Sequence, residues 1–303
     1  MSAIVIVVAL LLLLAGVAGL YWRKRRHRGP PISAPTIVRE PSQHAIVLAH
    51  GVLGFDHLQV MGVRQHYFRG VANYLEQRGG AVFTAKVAGL GTVPERAQAL
   101  TSFIEELDEK RVVVVGHSMG GLDARYALSK LGLANQVKAL ITVATPHRGS
   151  YLAQAAELLP SRALLSLLGK VGVSTDALQW LGEGPSEEFN NTILDVSEVF
   201  YGCIVGETSR SGVLGNPLLM AGYEILLRSR GPNDGMVPAS SQKWGKEIAV
   251  VPANHFAQIG WSSGFDACAM YLDLLLKLNR MGLQCMPLIT QEESESHEQA
   301  IAG

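Results

Sequence analysis

The pentapeptide Gly116-His117-Ser118-Met119-Gly120 holds the residue of this chain best suited to nucleophilic chemistry. It has the form G-x-S-x-G, and its setting says more than its letters. A run of valines, Val112 to Val115, precedes it, and a helical pattern opens directly after it. In a strand–turn–helix setting the serine sits on a sharp, strained turn that presents its hydroxyl at the top of the strand. Its neighbours on that turn must be small, and Gly116 and Gly120 supply the clearance. The helix N-terminus that begins there favours developing negative charge.

A serine hydroxyl is a poor nucleophile without a base. With an elbow of this kind the partners follow in the chain order serine, then aspartate or glutamate, then histidine. Only His147, His255 and His297 lie after Ser118. His297 is in an acidic terminal stretch, and His147 follows the strand next to the elbow, leaving no strand end between to present an acid. His255, in Asn254-His255-Phe256 after the last strand candidate, is the expected base. The acid then lies between them. Asp176 and Asp195 fall in an insertion and at its exit. Asp234 sits in the tight polar loop Gly231-Pro232-Asn233-Asp234-Gly235, 21 residues before His255. It is the expected acid, although an aspartate in a turn is common for its own sake. Two backbone N–H groups must receive the oxyanion: that of Met119, after the nucleophile, and one from the loop His50-Gly51-Val52-Leu53-Gly54, where Val52 is the candidate.

The elements that must hold these residues can be read from the apolar pattern. Ala45 to Ala49 is a short continuous apolar run, the mark of a strand buried on both faces. Ala81 to Val87, Arg111 to Val115, Val137 to Ala144 and Ile248 to Val251 are further strand candidates. Val71 to Gln77, Pro94 to Glu106, Gly120 to Leu131 and Phe265 to Met281 read as helices. Strands alternating with helices predict a mostly parallel sheet covered on both faces, an α/β fold. Residues 151–182 break the alternation; Leu164, Leu165, Leu167 and Leu168 form a greasy stripe there, either a helix covering the sheet or a lid over an acyl pocket.

The chain has 303 residues, with 26 Lys plus Arg against 26 Asp plus Glu, so no basic nucleic-acid footprint spans it. Hydrophobic residues make up 48% and charged residues 17%, which excludes a disordered chain. Three cysteines are too few for a disulfide scaffold. The apolar excess has a local source. Ala3 to Trp22 carries no charge and, as a helix of about 1.5 Å per residue, would span roughly 30 Å, a bilayer core. Arg23 to Arg28 follows it, whereas a cleaved signal peptide carries its charge in front. Residues 1–28 are thus expected to be an uncleaved single-pass anchor, with everything after it on the cytoplasmic side. The alternative is export after cleavage. Residues 29–43 read as a Pro-rich linker, 44–282 as the folded domain, and 283–303 as an acidic, disordered tail.

The motifs together resemble one family. Ile46 to Asp56, Gly116 to Tyr126, Ala144 to Ser150, Asn233 to Ser241 and Asn254-His255 are similar to the bacterial true lipases of Pseudomonas and Burkholderia type. The resemblance implies an α/β-hydrolase fold, hydrolysis of acylglycerol esters and a mobile lid. It also implies a triad of Ser118, Asp234 and His255, with Val52 and Met119 at the oxyanion hole. Three departures stand out. The family is usually secreted with an ordinary signal peptide. Several members carry a disulfide cysteine shortly after the catalytic aspartate, where Met236 to Ser240 has none. They also bind a structural calcium through an aspartate two residues after the catalytic histidine, where this chain has Ala257. The expectation is therefore a membrane-anchored serine ester hydrolase that needs no cofactor or calcium, with a lipid ester and the bilayer as its partners. Phospholipase A action or acyl transfer would use the same residues. A non-catalytic interaction protein on the same fold is the rival from another class.

Overall fold

In the computed structural model, residues 44–51, 57–60, 63–89, 91–107, 109, 111–150, 180–262 and 264–287 are described. The centre is a parallel sheet of β1 (Ala45–Ala49), β4 (Val82–Thr84), β5 (Val112–His117), β6 (Val137–Val143), β7 (Phe200–Gly206) and β8 (Lys246–Val251). Their order across the sheet is β4-β1-β5-β6-β7-β8. A separate antiparallel pair, β2 (His57–Val60) and β3 (Val63–His66), follows β1 in the chain.

The two faces of the sheet explain why its strands are apolar throughout. Ile46, Leu48, Val113, Val115, Ile141 and Val143 point into one core, shared with α1 (Val71–Glu76) and the closing helix α7 (Ala267–Arg280). Ala45, Val47, Ala49, Val112, Val114 and Leu140 point into the other, shared with α2 (Val93–Glu106) and α3 (Met119–Lys130). Successive side chains of a strand face opposite ways, so burial on both sides demands an unbroken hydrophobic run. The remaining α-helices among the described residues are α4 (Glu183–Thr192), α5 (Pro217–Ser229) and the single turn α6 (Ala239–Gln242).

The expected parallel α/β arrangement is observed, with differences in detail. The strand expected over Ala81 to Val87 is only Val82–Thr84, at the sheet edge with β1 alone as its neighbour. Six described elements carry no sequence signal strong enough to assign: β2, β3, β7, α4, α5 and α6. The folded part also does not stop at Gly282. Gly282 turns the chain at φ 88°, after which Cys285 and Met286 pack into the core. The Asn279 side chain accepts the N–H groups of both (2.7 and 3.2 Å), and the Gln284 carbonyl accepts from His44 N–H at 2.7 Å. A tail beginning at 283 is therefore corrected; residues 283–287 belong to the fold because they cover the end of β1.

The expected anchor, the linker and residues 288–303 lie outside the described residues. Among the described residues no helix is long and apolar enough to cross a membrane. The greasy stripe of the 151–182 insertion also lies outside them. Its neck does not: the N–H of Ser150 bonds to the carbonyl of Leu181 at 3.0 Å.

Candidate active site

The candidate residues gather where the parallel strands end, the edge at which α/β sheets present their functional loops. Ser118 links β5 to α3 with φ 55° and ψ −129°. A positive φ at a non-glycine residue costs on the order of 1–3 kcal/mol and persists only where the surroundings enforce it. Here the Ser118 N–H is held by the Val143 carbonyl at 2.9 Å, and the Ser118 carbonyl accepts from Gly121 N–H at 3.1 Å. Close approach of α3 to β1 explains Gly120, since a Cβ there would collide with the Ala49 carbonyl. Ser118 retains 8% exposure.

Asp234 and His255 meet directly. The loop that carries Asp234 returns to the end of β7, where Thr208 N–H bonds to the Asn233 carbonyl at 2.8 Å. One carboxylate oxygen of Asp234 accepts the N–H groups of Met236 and Val237 at 2.9 and 2.7 Å. The other lies 2.8 Å from His255 Nδ1. A carboxylate already served by two donors on one oxygen accepts the imidazole proton on the other, so His255 carries Nδ1–H and leaves Nε2 with its lone pair. The His255 N–H donates to the Asp234 carbonyl at 2.9 Å, which locks the two residues at main-chain level as well. Asp234 is fully buried and His255 nearly so.

Met119 is the first residue of α3, so its N–H has no carbonyl one turn back in the helix. Val52 lies outside the described residues. Gly51 before it is described, and a Cβ there would stand 2.8 Å from Ser118 Cβ, so the loop passes very close to the elbow. Sequence reasoning missed what holds that loop. Arg96, wholly buried in α2, donates to the His50 carbonyl at 2.6 Å and to the Ala88 carbonyl at 2.7 Å. It pairs with Asp123 of α3 at 2.7 Å. Burial pushes the Asp123 carboxyl up to about 6 against the pull of Arg96. A buried arginine needs a partner, and an arginine in an otherwise apolar helix face was the available signal.

The rejected candidates are elsewhere. His147 bonds through Nδ1 to Arg125 (3.3 Å) and through Nε2 to the Thr142 hydroxyl (3.2 Å). Asp195 accepts the Trp244 indole N–H at 3.0 Å. Asp176 lies outside the described residues. Ala257 is buried, and its N–H donates to the Asn254 side chain at 2.9 Å. None of the three cysteines is in a disulfide.

Residues 96–163 match the family described as PGAP1-like alpha/beta domain. The chain is 32% identical over 212 residues to triacylglycerol lipase 2 of Saccharomyces cerevisiae, a match that covers 65% of this chain and 63% of that protein. It thus spans slightly less than two thirds of that relative's length. It is 27% identical over 286 residues to a triacylglycerol lipase of Vibrio cholerae, covering 80% of this chain and 89% of that one. Among solved structures, a Bacillus licheniformis lipase in its mature form superposes with TM-score 0.65 at 20% identity, over 82% of this chain and 96% of the other. A metagenomic carboxyl esterase gives TM-score 0.66 at 20% identity, over 85% and 82% of the two chains.

Proposed function

We propose that this chain belongs with the lipases of the α/β-hydrolase superfamily and is a carboxylic ester hydrolase acting on acylglycerol esters. The observation that carries the reading is the Asp234–His255 pair at 2.8 Å beside a strained serine elbow. In this reading Ser118 Oγ attacks the ester carbonyl and His255 Nε2 takes its proton. Asp234 holds the ring in the tautomer that leaves Nε2 free, and it stabilises the imidazolium that forms. The N–H groups of Met119 and Val52 receive the oxyanion, aided by the positive end of α3. The alcohol departs with the proton from His255, leaving an acyl-Ser118 ester. Water, deprotonated by the same ring, then releases the fatty acid.

The reading places the domain at a bilayer through residues 3–22, on the cytoplasmic side. No metal enters the chemistry. The decisive experiment is fatty-acid release from a panel of triacylglycerols, phospholipids and short soluble esters, with Ser118→Ala beside the wild type. Release from acylglycerols that depends on Ser118 supports the proposal. Release confined to phospholipids would reassign the head group, and equal rates for the two proteins would overturn it.

A further inference from the structure

The mechanism above makes no use of His117, although it is buried beside Ser118 at the end of β5. A buried imidazole is a costly filler where a leucine would pack as well, so its bonds matter. Its Nε2 lies 3.1 Å from the main-chain carbonyl of His255. Its Nδ1 lies 2.8 Å from the Tyr67 hydroxyl. A carbonyl only accepts, so Nε2 carries the proton. A neutral imidazole has one N–H, so Nδ1 is bare and accepts from Tyr67. Burial holds the ring neutral, well below the usual histidine range, and the nearby His255 adds to this. The Tyr67 oxygen in turn meets the backbone N–H of Gly51. One string of bonds therefore runs from Gly51, ahead of the Val52 oxyanion candidate, through Tyr67 and His117, to the main chain of His255.

The other side of the His255 main chain is already held, because its N–H donates to the Asp234 carbonyl at 2.9 Å. The acid's main chain thus grips one end of this residue and the nucleophile's neighbour grips the other. We propose that His117, kept in its Nε2–H tautomer by Tyr67, is a positioning residue that fixes the main chain of His255 and so the aim of its ring at Ser118. The proposal rests on the reading of Ser118 and His255 as the working pair. It assigns a duty to the variable position of G-x-S-x-G that the motif itself leaves open. A small misplacement of a reacting group can cost about a hundredfold, which is the scale available to such a residue.

The test uses the full-length protein and a short soluble ester, with Ser118→Ala as the control for the reading itself. His117→Leu removes the donor to His255, and His117→Gln keeps an N–H near the same place. We expect kcat to fall about 10–100-fold in His117→Leu with KM within about twofold, and His117→Gln to recover most of the loss. The rate of inactivation by a fluorophosphonate should fall in parallel. Tyr67→Phe frees the ring to adopt either tautomer and should lower kcat in the same direction, also at unchanged KM. Nitrogen NMR of the wild-type imidazole should show protonated Nε2 and bare Nδ1. The proposal is overturned by a folded His117→Leu with wild-type kcat, or by His117→Gln losing as much as His117→Leu. A protonated Nδ1 in the wild type overturns it as well, and that result stands whether or not His117→Leu folds. Hydrolysis that survives in Ser118→Ala would defeat the underlying reading instead.

Discussion

His255 and His147 are the same residue in closely similar places, and only one of them faces a carboxylate. Each follows a strand of the parallel sheet, and each is buried. His255 has a carboxylate 2.8 Å from Nδ1. His147 has the Arg125 guanidinium 3.3 Å from Nδ1, and its ring stacks on Trp244 with centroids 5.2 Å apart. The guanidinium donates, so Nδ1 of His147 accepts and Nε2–H is spent on the Thr142 hydroxyl. Both nitrogens are committed, and burial together with two nearby arginines holds the ring neutral, well below the usual histidine range. Asp234 instead accepts the Nδ1–H of His255. Burial is common to the two; the charge of the neighbour separates them.

That contrast can be broken most severely at the working pair. Ser118→Ala and His255→Ala should each lower ester turnover by on the order of 10⁴–10⁶ with the fold intact, whereas His147→Ala should stay within about threefold of wild type. Turnover of a soluble ester beside a circular dichroism spectrum decides it, and a crippled His147→Ala would erase the distinction. The carboxylate is next. Asp234→Asn should cost roughly 10⁴ through the wrong tautomer, and Asp195→Asn should leave turnover unchanged because Asp195 serves Trp244. A normal rate in Asp234→Asn would reassign the acid.

A stability measurement sharpens the other half. His147→Leu should lower unfolding free energy by about 1–3 kcal/mol in urea titrations, because it leaves Arg125 and Thr142 short of a partner. Acid should expose the same group. His117 and His147 are both depressed below the ordinary value of 6.5. Below that pH the unfolded chain binds protons that the folded chain refuses. Stability is therefore full above 6.5 and falls as pH drops beneath it, by up to about 1.4 kcal/mol per pH unit for each histidine. Urea midpoints at pH 7.5 and 5.5 test this, and an unchanged midpoint would contradict the neutral assignment. The smallest effect concerns metal. A cation near His255 would give it the kind of neighbour His147 has, but Ala257 offers no ligand where relatives of the resembled family have a carboxylate. A chelator should leave the thermal midpoint and turnover unchanged, and a calcium-reversible fall of several degrees would reveal a site.

What was legible in the chain follows from how local each signal is. Val112 to Val115 announce a buried strand because both faces of β5 are covered. Asp234 and His255 could be paired from chain order together with the tight polar loop that carries Asp234. β7 was hidden by Gly202, whose missing side chain reads as a break. Its real cause is contact, since a Cβ there would stand 2.7 Å from the Ile248 side chain. The stretch after Gly282 looked like a tail because Asn279, which clamps it, gives no local sign of reaching six residues ahead. Tyr67 and His117 escaped for the same reason, being 50 residues apart in the chain and 2.8 Å apart in space.

The bond between Ser150 N–H and the Leu181 carbonyl holds the chain together on either side of residues 151–180. In polymer terms two points joined in this way have already closed the loop between them, and doubling the length of such a loop costs only about 0.6 kcal/mol of closure entropy. The bond is therefore a seam: the rest of the described fold would feel a change in the length of the intervening segment only weakly.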